Sequence, residues 1–125
     1  MTAQSLAKQA YSSPAPMLRP PRQIEYDTLA RLTHQLRDAA GDTAKSFGVL
    51  AEALHDNAQF WTVLACDVAS QDNLLPKELR ARIFYLAEFT HHHSRKVLDG
   101  EVTVAALLEI NVAILKGLRQ RSDLP

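Results

Sequence analysis

Three consecutive histidines, His91, His92 and His93, are the side chains in this sequence with the most obvious capacity for chemistry. Imidazoles bind metals, but helical metal sites draw ligands from positions i and i+3 or i+4, whereas consecutive residues fan out by about 100° each. At the productive spacing His92 finds Glu88, and His91 finds only Ala87, which offers no ligand. The run therefore reads as a packed His93, sharing a stripe with Thr90, beside two surface histidines. Cys66 is the lone cysteine, so no internal disulfide can form, and it reads as a small packing residue. Asp67 and Asp72 fall at a helix end and in a turn, where carboxylates are solvated or cap backbone. The motifs GxGxxG, GxxxxGK[ST], HExxH and GxSxG do not occur, and Gly48, Gly100 and Gly117 are too isolated to cradle a phosphate. No catalytic, cofactor-binding or metal-binding residue is assigned, and the sequence reads as a non-enzyme.

The elements that would position any such group are helices. Phe47, Leu50, Leu54, Trp61, Leu64 and Val68 recur at alternating spacings of three and four, the seam of one long amphipathic helix anchored by Trp61. Before it, Leu29, Leu32 and Leu36 carry a helix over residues 22–40 that Gly41 ends, and Asp42 is a good N-cap for the long helix. After a polar turn over residues 71–75, Pro76 opens a fourth helical segment, with Glu78 in its first turn. That segment runs to about Asp99 and stops at Gly100. Thr103 caps the last helix, from Val104 to about Gln120, whose core stripe is Val104, Leu107, Leu108, Ile114, Leu115 and Leu118. At the other end of the chain, residues 2–11 can form a short helix with Ala3, Leu6, Ala7 and Ala10 on one side. Residues 12–21, with Pro14, Pro16, Pro20 and Pro21, make a stiff connector. The expectation is an all-α fold, an antiparallel bundle of four longer helices plus a short N-terminal helical arm. Residues 1–21 form arm and connector, and 22–125 the bundle.

Composition narrows the function. A hydrophobic share of 46% over 125 residues suits one globular domain with a real core. Fourteen Lys and Arg balance fourteen Asp and Glu, where a dedicated nucleic-acid binder shows a basic excess. No segment approaches the ~20 apolar residues of a membrane span. Residues 1–11 lack an apolar core and a small-residue cleavage pattern, so no signal peptide is expected, and a cytoplasmic location follows.

Two asparagines interrupt the apolar seams: Asn57 in the long helix and Asn111 in the last. They either meet, each satisfying the other's amide, or bond separately to backbone or water. Apolar residues also remain once the seams are assigned. Val49, Phe60 and Val63 cluster opposite Trp61. On the fourth segment the core stripe is Leu79, Ile83, Leu86 and Val97, which leaves Phe84 pointing away and Tyr85 and Phe89 on a flank. Val49, Phe60, Val63, Phe84 and Tyr85 are the candidate partner-binding residues. They form a groove or a homodimer contact, or else the arm or a neighbouring helix covers them. Lys77, Arg80, Arg82, Arg95 and Lys96 outnumber Glu78 and Glu88 locally, the one footing for RNA contact.

Residue patterns across the chain add a family likeness. Ala10-Tyr11, Asn57-Ala58-Gln59-Phe60-Trp61, Asp67 and Asn73-Leu74-Leu75-Pro76 come first. Leu79-Arg80-Ala81, Phe89, His93-Ser94, Val97-Leu98 with Gly100, Leu107 to Asn111 and Gly117-Leu118 follow in order. The chain resembles the FlaF family of flagellin-associated regulators of α-proteobacteria over nearly its whole length; His91-His92 has no place in that pattern. The resemblance implies a non-enzymatic cytoplasmic protein that binds flagellin before export, promotes flagellin synthesis and filament assembly, and counters a FlbT-type regulator of flagellin mRNA. The alternative it leaves is a post-transcriptional regulator acting on that mRNA, directly or through the FlbT-type partner. Flagellin's amphipathic terminal helices would suit a second apolar face, and the connector would let the arm swing off it.

Overall fold

The computed structural model describes residues 21–41 and 47–122, with side chains described for 25–41 and 47–119. Four helices make up these segments: α1 (Pro21–Gly41), α2 (Phe47–Ala69), α3 (Lys77–Leu98) and α4 (Ala105–Ser122). No strand occurs among the described residues. The expected helix over 2–11, the connector through residue 20 and the Asp42 cap lie outside them. The helix count and class agree with the periodicity of the sequence.

Backbone chemistry fixes the ends. Proline lacks an N–H and holds φ near the helical value, so Pro21 sits comfortably as the first residue of α1. Between α2 and α3, Asn73 organises the turn with both ends of its amide. Its Nδ2 donates to the Asp67 carbonyl (3.2 Å), and its Oδ1 accepts from the Leu75 N–H (3.0 Å). The turn delivers Pro76, in extended conformation (φ −55°, ψ 144°), to the N-cap position of α3. At the far end of α3 the Gly100 N–H bonds the Val97 carbonyl and the Glu101 N–H bonds that of Lys96. This is a Schellman closure, and it needs the left-handed φ of +77° that Gly100 adopts. Thr103, expected as the cap of α4, sits one residue before it: the Val104 carbonyl accepts from the Leu108 N–H, so Val104 holds the N-cap position, while Thr103 Oγ1 accepts from the N–H of Ala105, the first helical residue, at 3.3 Å.

The short turns after α2 and α3 make those successive helices antiparallel, and α1 packs on both α2 and α4, closing the ring. The α2–α3 seam is the most extensive and the α3–α4 seam the thinnest. The core divides into two apolar layers. One gathers Leu29, Leu32, Phe60, Trp61, Val68, Ile83 and Ala87. The other gathers Leu36, Ala39, Ala53, Leu54, Val97, Val104 and Leu107. Between them every helix contributes buried polar side chains: Thr33 from α1, Asn57 from α2, Thr90 and Ser94 from α3, and Asn111 from α4.

Asn57 and Asn111 do meet at this waist, across the α2–α4 diagonal. The bond directions follow from one fixed donor. The Trp61 indole N–H can only donate, and it donates to Asn111 Oδ1 at 3.0 Å. Asn111 Nδ2 must then face the other way, where it donates to Asn57 Oδ1 (2.8 Å) and Thr33 Oγ1 (3.1 Å). Thr33 can accept because its own proton goes to the Leu29 carbonyl at 2.7 Å. The remainder falls on Asn57, whose Nδ2 is buried without a hydrogen-bond partner among the described residues. Asn111 is thus a three-bond hub, and Asn57 a one-bond acceptor with an unanswered donor.

Two expected faces shift. Phe47 is 63% exposed rather than part of the seam, because helical side chains lean toward the N-terminus and the first residue of α2 projects past the bundle end. On α3 the buried stripe is Ile83, Ala87, Thr90, Ser94 and Val97, with Leu79 and Leu86 only half-buried.

Candidate partner-binding surface

The five candidate residues do not converge. Phe60 is 5% exposed and packs in the first apolar layer with Leu29 and Leu32 of α1, so it contributes core and not surface. A middle helix flanked by two neighbours buries a wide arc, and the side of α2 opposite α3 is the side α1 covers. Gln35 and Asp56 mark that same seam, Nε2 donating to Oδ2 at 3.1 Å. Val63 is half-buried, and Val49 is exposed near the start of α2. Phe84 and Tyr85 are 44% and 65% exposed on α3, adjacent in sequence and therefore about 100° apart around the helix.

A further apolar side chain joins them. Leu74, at the tip of the α2–α3 turn, is 98% exposed while its neighbour Leu75 packs against the first apolar layer. The Asn73 bonds hold this turn, so Leu74 is presented on fixed backbone. The signal was present in Asn73-Leu74-Leu75-Pro76: two leucines in a tight turn cannot both point inward. Leu74, Phe84 and Tyr85 all belong to the half of the bundle that contains Trp61. Val49 and Phe47 stand at the opposite end.

The histidine run also resolves differently from expectation. His93 is half-buried on a flank of α3, its ring stacked on Phe89 (centroids 5.2 Å apart, 19° between planes). Its Nε2 lies 3.1 Å from the Thr103 carbonyl, an acceptor only, so the nitrogen carries the proton and donates. His91 is no free surface residue, since its Nε2 contacts Thr62 Oγ1 on α2 at 2.7 Å. Only His92 is exposed. His91 therefore ties α3 to α2 and His93 holds the turn that follows α3, and no group of three potential metal ligands occurs among the described residues. Cys66 is exposed rather than packed.

At 100° per residue Lys77, Arg80 and Arg95 fall within about 60° of one another on α3, while Arg82 and Lys96 lie on another side, and Arg80 is half-buried with its Nε unpartnered among the described residues. No helix among the described residues is long and apolar enough to cross a membrane.

The model of the flagellar protein FlaF matches residues 7–118, nearly the whole chain. The chain belongs to the FlaF family. A search of curated proteins and a search of solved structures each return no match. This family membership places the chain in flagellum biogenesis; its described residues form four helices around a polar waist, with Leu74, Phe84 and Tyr85 exposed.

Proposed function

We propose that this FlaF-family chain is a non-enzymatic cytoplasmic protein that binds flagellin through its apolar helices, and so promotes flagellin synthesis and filament assembly. The observation that carries this reading is the set Leu74, Phe84 and Tyr85, large apolar side chains exposed on the described bundle. Single exposed apolar side chains are ordinary, whereas several gathered in one half of a bundle offer a partner apolar area. An amphipathic helix laid along α3 would cover Phe84 or Tyr85 and reach Leu74 at the turn.

The alternative, direct or FlbT-assisted action on flagellin mRNA, has less behind it. The formal net charge is zero, and the α3 cations are divided between two sides of the helix. Size-exclusion chromatography of the purified chain with flagellin from the same genome separates the two, run beside a gel-shift with flagellin mRNA. The proposal expects co-elution with flagellin and no RNA shift at physiological salt. An RNA shift without co-elution would replace it with the alternative.

A further inference from the structure

A cavity of about 320 Å³ opens between α2 and α3, near the polar waist and on the opposite side of α2 from α1. It exists because Ala51 and Ala58, seven residues apart on one face of α2, stop at Cβ where α3 passes them. With Leu54 and Leu98 they form an apolar floor. The polar lining is His55, His91, Ser94 and Arg95, with no carboxylate among the lining residues.

Two of those four polar groups are engaged. The Ser94 hydroxyl donates to the Thr90 carbonyl at 2.7 Å, and His91 Nε2 is held by Thr62 Oγ1 at 2.7 Å. Arg95 and His55 are exposed at the rim, and neither side chain has a hydrogen bond or ion pair among the described residues. An apolar floor beneath an unpaired guanidinium does not suit a free inorganic ion, which would leave the floor uncovered. It suits a helix that brings a carboxylate and an apolar side chain together. The volume lies at the small end of the range for ligand pockets, about 300–1,000 Å³, a size for one or two side chains.

We propose that this cavity is a specificity pocket for an amphipathic helix of the partner, accepting an acidic side chain against Arg95 while an apolar side chain one turn away covers Ala51 and Ala58. The proposal rests on the reading that the chain binds flagellin helices, and it adds where one helix seats and which charge that helix must carry. Guanidinium pairs carboxylate with two parallel hydrogen bonds, so the pocket selects for an acid as well as for apolar area.

The test titrates flagellin from the same genome into the wild-type chain, Arg95→Glu, Arg95→Lys and Ala58→Phe, with far-UV circular dichroism on each. Losing a charge-assisted bond corresponds to a ten- to hundredfold rise in Kd, about 1.5–3 kcal/mol. That rise is expected for Arg95→Glu, with Arg95→Lys partly restoring affinity and Ala58→Phe, which fills the cavity, weakening binding comparably. Should Ala58→Phe misfold, the exposed Arg95 variants carry the test alone. Wild-type affinity in Arg95→Glu overturns the pocket while leaving flagellin binding standing. Weakening by Ala58→Phe alone overturns the acidic assignment. A wild-type dimer that Ala58→Phe converts to monomer in sedimentation makes the occupant a second copy and overturns it too. A wild-type chain that binds no flagellin removes the underlying reading itself.

Discussion

Matched truncations of the two waist asparagines should have very different costs. Asn111→Ala removes the acceptor of the buried Trp61 N–H and the donor to Asn57 Oδ1, leaving two new buried polar groups unpaired. Thr33 loses only an accepted bond and keeps its donated one to Leu29. At about 1–3 kcal/mol per orphaned group, plus roughly 1 kcal/mol for the small cavity, the loss is about 3–7 kcal/mol. Asn57→Ala removes one satisfied oxygen together with an Nδ2 that already lacks a partner. It strands one Asn111 N–H while its other stays on Thr33, so the tally of orphans does not grow and the cost is about 1 kcal/mol, mostly cavity. Equilibrium urea unfolding, followed by circular dichroism and by Trp61 fluorescence, measures both. A chain of this size has about 5–15 kcal/mol of total stability, so Asn111→Ala takes a large part of it. Equal losses for the two variants, or a larger one for Asn57→Ala, would refute the bond directions derived from the indole donor.

Other substitutions probe the remaining elements. Phe60→Ala should destabilise by about 3–5 kcal/mol in the same unfolding assay, because the ring fills the first apolar layer. Phe84→Ser should leave stability within about 0.5 kcal/mol and lower flagellin affinity, so the two phenylalanines separate core from surface. Gly100→Ala should cost about 1–2 kcal/mol in thermal unfolding even though nothing lies within 4 Å of the added Cβ, because the penalty is the positive φ itself. Asn73→Ala should loosen the α2–α3 turn by about 1 kcal/mol and speed amide hydrogen exchange at Leu75, whose N–H loses its acceptor.

The three- and four-residue spacing of leucines made the helices and their class legible, and Pro76, Gly100 and Thr103 marked their ends because each acts locally on the backbone. The meeting of Asn57 and Asn111 could be anticipated because a buried amide needs a partner and each sat mid-seam. Its direction could not, since it depends on Trp61 and Thr33, which only tertiary packing brings to that layer. Phe60 reads as surface in the sequence for a related reason: a single-stripe picture of a helix fails when the helix has neighbours on both sides. His91 shows the same limit, because Thr62 reaches it from another helix. Leu74 had a visible signal that needed the turn geometry to become an exposure. The α2–α3 cavity had none, since Ala51, Ala58 and Arg95 are ordinary helix residues until two helices cross.

The central claim, that this chain holds flagellin through apolar helix faces, is tested most directly by calorimetric titration with flagellin from the same genome at several temperatures and at low and high salt. Saturable binding with a negative heat-capacity change is expected, keeping most of its affinity at high salt, where only the single Arg95 contact is screened. Absence of binding at either salt would contradict it, as would binding that collapses as salt rises with no heat-capacity change.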